Sequence, residues 1–462
     1  MPFGPNRSVV RKLGFACLML LACVSAASAS ATLFLEEPYG KMGYFTATGH
    51  AAVYLSAVCA DSPIVLRRCA PGETGIVLSR YDGIDGYDWL AIPLIPYLYA
   101  VERPEDIPLF ADAKMVAFLR DQYRRKYLED VSPDAANGEA PGGIWYQLIG
   151  SSYDRTIYGF EIKTTPEQDD ALIRKLNSSP NRSHFHLASS NCADFAKQII
   201  DFYYPKSLHR SLIADVGITT PKQIAKMLAK FGVHHPEIQL SRMVIAQVPG
   251  SMPRSSAPHG VVESFLKSTK YIVPSAILSP MFAGSVLAVY VGTGAGRFQP
   301  DRDAKVFDPD GGLEPPLSGA DRKTYLRQLK SLLAEAGFPA SDESTDKEWA
   351  KLQSKAKTDL DGEGAPILEM RLAGRPVRVG AAADNVLNDS APPRLVREII
   401  EARLQSELRH SKPRGLSRTE VARDLSLLQQ AQRELATEAR EDSPATELDT
   451  PALVRAAFVN VP

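Results

Sequence analysis

Cys192 lies in "SHFHLASSNCADFAKQII", residues 183–200, at the point where an amphipathic helix is expected to begin. Phe195, Ile199 and Phe202 recur at helical spacing, Asn191 can cap the helix, and Asp194 follows three residues later. Cys192 therefore falls in the first turn. There, unpaired amides and the helix dipole favour an anion and draw a thiol toward its reactive thiolate. A thiolate is a nucleophile, but acyl chemistry also needs a proton carrier and an oxyanion donor, and the Cys192 amide can supply part of the latter. The competing readings are a small core residue and a metal ligand. His184 and His186 share one face of a strand at i, i+2 and could join Cys192 around zinc, or one of them could serve as the base. The chain has no second H-x-H and no C-x-x-C to strengthen the metal reading.

Near neutral pH the proton carrier should be a histidine, and the chain has eight. His50 is the first candidate. It opens the strand-like run "GHAAVYLSAV", its parity groups it with Ala52, Tyr54 and Ser56, and Val53, Leu55 and Ala57 form the more apolar face. A structural, hydrogen-bonded histidine is the alternative.

The N-terminus bears on how the cysteines are read. Arg7, Arg11 and Lys12 precede the apolar run "LGFACLMLLACVSA" and the small-residue run "ASASA", the layout of a secretory signal over residues 1–31. Ala29-Ser30-Ala31 suits ordinary cleavage, whereas Leu20-Leu21-Ala22-Cys23 resembles a lipoprotein box. In an oxidising compartment, Cys59 and Cys69 flank a short polar loop and are expected to pair. Cys192 is then the unpaired thiol. The net charge of -1 gives no global pull toward nucleic acid, and none is expected as a partner.

The pair "GHAAVYL" and "NCADF" resembles the permuted papain-like thiol hydrolase superfamily, in which histidine precedes cysteine. That group includes NlpC-related peptidases and lecithin-retinol acyltransferase-like proteins. "EEPYGKMGYFTATGHAAVYL" with "SHFHLASSNCADF" is similar to the N-terminal periplasmic domain of Lnb-type membrane proteins. The likeness covers about residues 33–250. It implies a small antiparallel sheet carrying His50, packed on a helix that presents Asn191 and Cys192. It also implies a polar acceptor behind the histidine on a following strand. Arg80 cannot accept a hydrogen bond, so Asp82 is the expected third residue, with Asp85 and Glu102 as alternatives.

Along the chain, an α+β fold is expected. A permuted papain-like domain should span 32–255, with strands at "TLFLE", "HAAVYLSAV", "PIVLRR", "GIVLSRY", "TIYGFEIK" and "MVIAQV", and helices at 112–131, from Thr165 and from Thr220. The apolar "DWLAIPLIPYLYAV" reads as core or as the lining of an acyl groove. Residues 268–293 carry an uncharged run from Tyr271 to Gly292 that is long enough to be a candidate transmembrane segment, although Pro274 and Pro280 interrupt it; a buried or interfacial segment is the alternative. A Pro, Gly and Asp rich linker is expected at 294–319. Residues 320–462 should form a mostly helical region with a hairpin at "PILEMRLAGRPVRVG".

The function expected from these residues is an exported, envelope-associated cysteine hydrolase or acyl-transfer enzyme working through a thioester. Its substrate would be a peptidoglycan peptide or a lipid acyl group, the membrane would be close by, and neither cofactor nor metal is expected. The alternative is a non-catalytic, membrane-anchored envelope module for binding or assembly.

Overall fold

The computed structural model describes residues 29–40, 47–81, 84–182, 185–310, 312–335, 354–372, 375–382, 386, 392–409 and 415–441. The strands are β1 (Ser30–Glu36), β2 (His50–Leu55), β3 (Val58–Ser62), β4 (Val65–Arg68), β5 (Ile76–Ser79), β6 (Leu90–Pro93), β7 (Ile157–Lys163), β8 (Ser241–Ile245), β9 (Lys305–Asp308), β10 (Gly312–Glu314), β11 (Lys357–Leu360), β12 (Pro366–Leu372) and β13 (Arg375–Gly380). The α-helices are α1 (Leu94–Tyr99), α2 (Ala113–Tyr127), α3 (Ser151–Asp154), α4 (Pro166–Ser178), α5 (Cys192–Tyr203), α6 (Pro221–His234), α7 (Val261–Lys267), α8 (Thr269–Leu278), α9 (Pro280–Thr293), α10 (Gly319–Glu335), α11 (Pro393–Arg409) and α12 (Arg418–Glu441).

Two compact units result. One comprises Met1–Ala100, Arg120–Gln247 and Pro253–Phe307; the other comprises Val101–Leu119, Val248–Met252 and Asp308–Pro462. The expected small antiparallel sheet and transmembrane segment are overturned. Eight strands form one mixed sheet in the order β10-β9-β8-β7-β1-β2-β5-β6, and β8 runs parallel to β9 through Met243↔Lys305 and Val244↔Val306. Residues of the expected linker thus supply strands β9 and β10. Among the described residues no helix is long and apolar enough to cross a membrane. The uncharged run breaks at Ser279, whose φ of -149° and ψ of 80° are not helical, and Pro280 starts a new helix at the position where its missing N–H costs least.

Every residue of β1 is buried, because the central strand is covered on both faces. Leu33 and Leu35 on β1 and Val53 and Leu55 on β2 pack with Phe195, Ala196, Ile199 and Ile200 of α5 and Ile224 and Leu228 of α6. Alternation sends Phe34 the other way, where it stacks against Tyr54 at 6.2 Å and Tyr97 at 6.4 Å. The run "LAIPLIPYLYA" forms β6 and α1, and all six residues of α1 are buried, so it builds core rather than an open groove. Ser30 and Ala31 pair with Lys163 and Ile162, so a chain cut after Ala31 would lose both pairs from the central strand.

Thr165 and Gln168 close a capping box at the start of α4, and Thr220 caps α6, both at the expected positions. Cys59 and Cys69 form a disulfide across the β3–β4 hairpin. In the second unit, β11–β13 form a three-stranded antiparallel sheet and α10, α11 and α12 are its main helices. The Arg403 guanidinium is buried between Asp424 at 2.9 Å and Glu420, and the Tyr325 hydroxyl donates to Asp424 at 2.6 Å.

Candidate functional site

The N-terminus of α5 is held by side chains encoded in "SSNCAD". The Asn191 Oδ1 accepts from the Asp194 amide at 3.0 Å, and Asp194 Oδ2 accepts from the Asn191 amide at 3.2 Å, closing a reciprocal capping box. The Asn191 Nδ2 donates to the Leu187 carbonyl at 2.8 Å and the Thr219 carbonyl at 3.0 Å. Asp194 Oδ1 also receives the Thr219 hydroxyl at 2.6 Å and the Arg210 guanidinium at 2.9 Å. Arg80, immediately after β5, grips Asp88 at 2.7 Å and 2.8 Å, donates to Ser190 Oγ at 3.2 Å and lies over the Phe195 ring. These contacts tie the start of the cysteine helix to the sheet.

Gly49 sets the entry to β2. It has a φ of +74°, and a Cβ there would fall 2.0 Å from the Glu36 carbonyl oxygen, so glycine is required. His50 then begins the strand opposite Glu36. Its imidazole stacks flat on Tyr81, with ring centroids 4.3 Å apart, and Nε2 lies 2.7 Å from Ser79 Oγ. Beyond Ser79, a chain of buried polar groups continues. The Tyr81 hydroxyl donates to the Gln147 carbonyl at 2.8 Å, and the Tyr97 hydroxyl donates to Glu36. Glu36 also receives Ser151 Oγ at 3.0 Å and pairs with buried Arg155 at 3.0 Å.

Cys192 reaches the same end of β2. The last pair of β2 with β5 is Ala52↔Ser79, and the amide of Ala51 beside it is one of the groups that favour the Cys192 thiolate. By strand parity His50 projects with Ala52 and Tyr54, whereas α5 packs on the face of Ala51 and Val53. His50 and the start of α5 thus lie toward one end of β2 but on opposite faces of the strand. Cys192 keeps partial solvent exposure, and no hydrogen bond joins it to His50.

Electrostatics modify the expected activation. Burial pushes the Cys192 thiol up to about 11, outweighing the amides of Ala51 and Ala193, which pull it down. Burial, and then the Arg155 guanidinium, hold the His50 imidazole well below its ordinary value. The resting pair is neutral thiol and neutral imidazole, not a thiolate–imidazolium ion pair. The thiol is therefore raised rather than drawn down toward a thiolate, contrary to expectation, because desolvation is the largest effect.

Asp82, the expected third residue, lies outside the described residues, as does His184. Ser79 occupies the position behind the imidazole. Of the alternatives, Asp85 receives Arg182 on its carbonyl and Glu102 is exposed. His186 is exposed in a tight turn in which its amide donates to the Ser190 carbonyl. Sequence reasoning passed over Ser79, Tyr81, Glu36 and Arg155. The available signal was the acidic pair Glu36-Glu37 ending an otherwise apolar strand, since a buried carboxylate requires a buried cation and donors. No protein-family model matches the chain, and no curated protein or solved structure matches it.

Proposed function

We propose that this chain is an exported, envelope-associated cysteine hydrolase or acyl-transfer enzyme acting on an amide or ester bond, with Cys192 as nucleophile and His50 as base. The observation that carries the reading is the placement of Cys192 in the first turn of a capped helix that packs on β2, the strand His50 begins. Ser79 engages Nε2, and the mechanism uses the tautomer in which Nε2–H donates to Ser79 Oγ, which leaves Nδ1 to accept the thiol proton. In the reaction, Nδ1 takes the thiol proton as sulfur bonds to the substrate carbonyl carbon. The tetrahedral intermediate then expels the amine or alkoxide, which takes that proton back, and leaves a thioester. Water or an acceptor, deprotonated by the same nitrogen, releases the acyl group. Because both groups rest neutral, proton transfer accompanies attack, as in a serine–histidine pair.

The likeness of "GHAAVYL" and "NCADF" to permuted papain-like thiol hydrolases supports the same reading, and peptidoglycan peptides or lipid acyl groups are the substrate classes it suggests. The test is product release from purified peptidoglycan and from envelope lipids by the full chain and by Cys192→Ala. Loss of all release in the variant is expected, and equal release by both proteins would overturn the reading.

A non-catalytic envelope module for binding or assembly is the second reading, favoured by the raised thiol and depressed imidazole. It predicts that Cys192→Ala retains full function and that neither substrate class is turned over.

A further inference from the structure

We infer that the α8–α9 hairpin is a membrane-docking element that dips into one leaflet of an anionic lipid surface without crossing it. The inference goes beyond the thiol chemistry and does not depend on it. Neither α8 nor α9 contains a buried residue, and residues 271–296 contain no charged side chain. Ile277 is 74%, Leu278 84% and Met281 86% exposed, with Tyr271, Val273, Phe282, Leu287 and Val291 exposed beside them. Tyr271 and Phe282 pack on Phe265 of α7, but the apolar residues of both helices as a whole are not confined to one stripe. A protein partner covers one face of a helix, whereas lipid chains surround it.

Length and charge define the depth. At about 1.5 Å per residue, the 10 residues of α8 and 14 of α9 reach about 15 and 21 Å, against a hydrocarbon core of about 30 Å. Both ends of the segment hold to α6, where Lys222 pairs with Glu263 ahead of α8 and Lys226 meets the last residue of α9. Exposed cations flank the apolar residues: Lys267, which also pairs with Glu263, before α8, Lys270 in the first turn of α8, and Arg297 and Arg302 after α9, a set that suits anionic headgroups. The base is fixed to the unit: Lys226 Nζ donates to the Thr293 carbonyl at 2.9 Å, and Phe298 stacks on Phe160 at 6.0 Å.

The test is flotation of the full chain with vesicles of equal parts phosphatidylethanolamine and phosphatidylglycerol, and separately with phosphatidylcholine vesicles. The comparison protein carries Ile277→Glu, Leu278→Glu and Met281→Glu, three exposed positions whose change leaves the core untouched; an unchanged thermal unfolding midpoint checks this. We expect the wild type to float with the anionic vesicles, less with phosphatidylcholine, and the triple variant to bind more than about tenfold more weakly. Lys270→Gln with Arg297→Gln should weaken only the anionic case. The inference is overturned if the triple variant floats as well as the wild type, which would place lipid affinity elsewhere in the chain. It is also overturned if the wild type does not float, or if it instead forms a dimer that the triple variant cannot form.

Discussion

The imidazole Nε2 of His50 lies 2.7 Å from the hydroxyl oxygen of Ser79, across neighbouring strands β2 and β5. In the proposed mechanism this contact leaves Nδ1 as the ring nitrogen that serves Cys192. Ser79→Ala should lower kcat about 10- to 100-fold with little change in KM, and Ser79→Thr should restore most of it. Loss of the buried hydrogen bond should cost about 1 kcal/mol of stability, too little to explain the rate effect by unfolding. Steady-state kinetics with urea titration of the same variants check both parts.

Stability should form a plateau with two sloping limbs. The folded His50 lies below its ordinary 6.5, so beneath that pH the unfolded chain binds a proton that the folded chain refuses. Its stabilising contribution is complete above 6.5 and is lost as pH falls toward the folded value. Cys192 is the reverse: between its ordinary 9.0 and about 11 the unfolded chain releases a proton that the folded chain keeps. Its contribution is complete below 9.0 and is lost as pH rises to about 11. Each limb should slope by about 1.4 kcal/mol per pH unit at most. Urea midpoints across pH should show the acid limb flattened in His50→Gln and the alkaline limb flattened in Cys192→Ala.

Asn191→Ala should destabilise the chain by about 1 to 2 kcal/mol, because it removes the acceptor for the Asp194 amide and both donors to the Leu187 and Thr219 carbonyls. Since the same cap places the sulfur, activity should fall by more than the unfolded fraction explains. Chemical denaturation paired with active-site titration separates the two effects.

The capping pattern around Cys192 and the strand start at Gly49-His50 were legible because both are local: a side chain and an amide three residues apart, and a glycine beside its histidine. Ser79 was not. It ends an apolar run with no periodic signal, and its meaning depends on the register Ala52↔Ser79, which no local window contains. The eight-stranded sheet was obscured for a related reason. Strand β9 is four residues long within a Pro, Gly and Asp rich stretch, and its parallel pairing to β8 joins residues about sixty positions apart. The expectation of a thiol drawn down at the helix start was overturned, because burial raises it instead, and that burial can be known only once the packing around β2 is known.

Reduction of the Cys59–Cys69 disulfide should lower stability by about 2 to 3 kcal/mol, the scale expected for closing so short a loop. The paired cysteines tie the ends of the β3–β4 hairpin, and neither is a partner of His50 or Ser79. Activity in reduced, still-folded protein should therefore be retained. Denaturation and turnover measured with and without reductant check this.

The central claim is that Cys192 becomes nucleophilic through His50 rather than by resting as a thiolate. The direct measurement is acylation of Cys192 by 4-nitrophenyl acetate near neutral pH, followed by mass analysis of the Cys192 peptide in wild type and His50→Gln. The account predicts a thioester on Cys192 in the wild type, formed about 100-fold faster than in the variant. Equal rates in both proteins, set only by a thiol that ionises near 11, would contradict it.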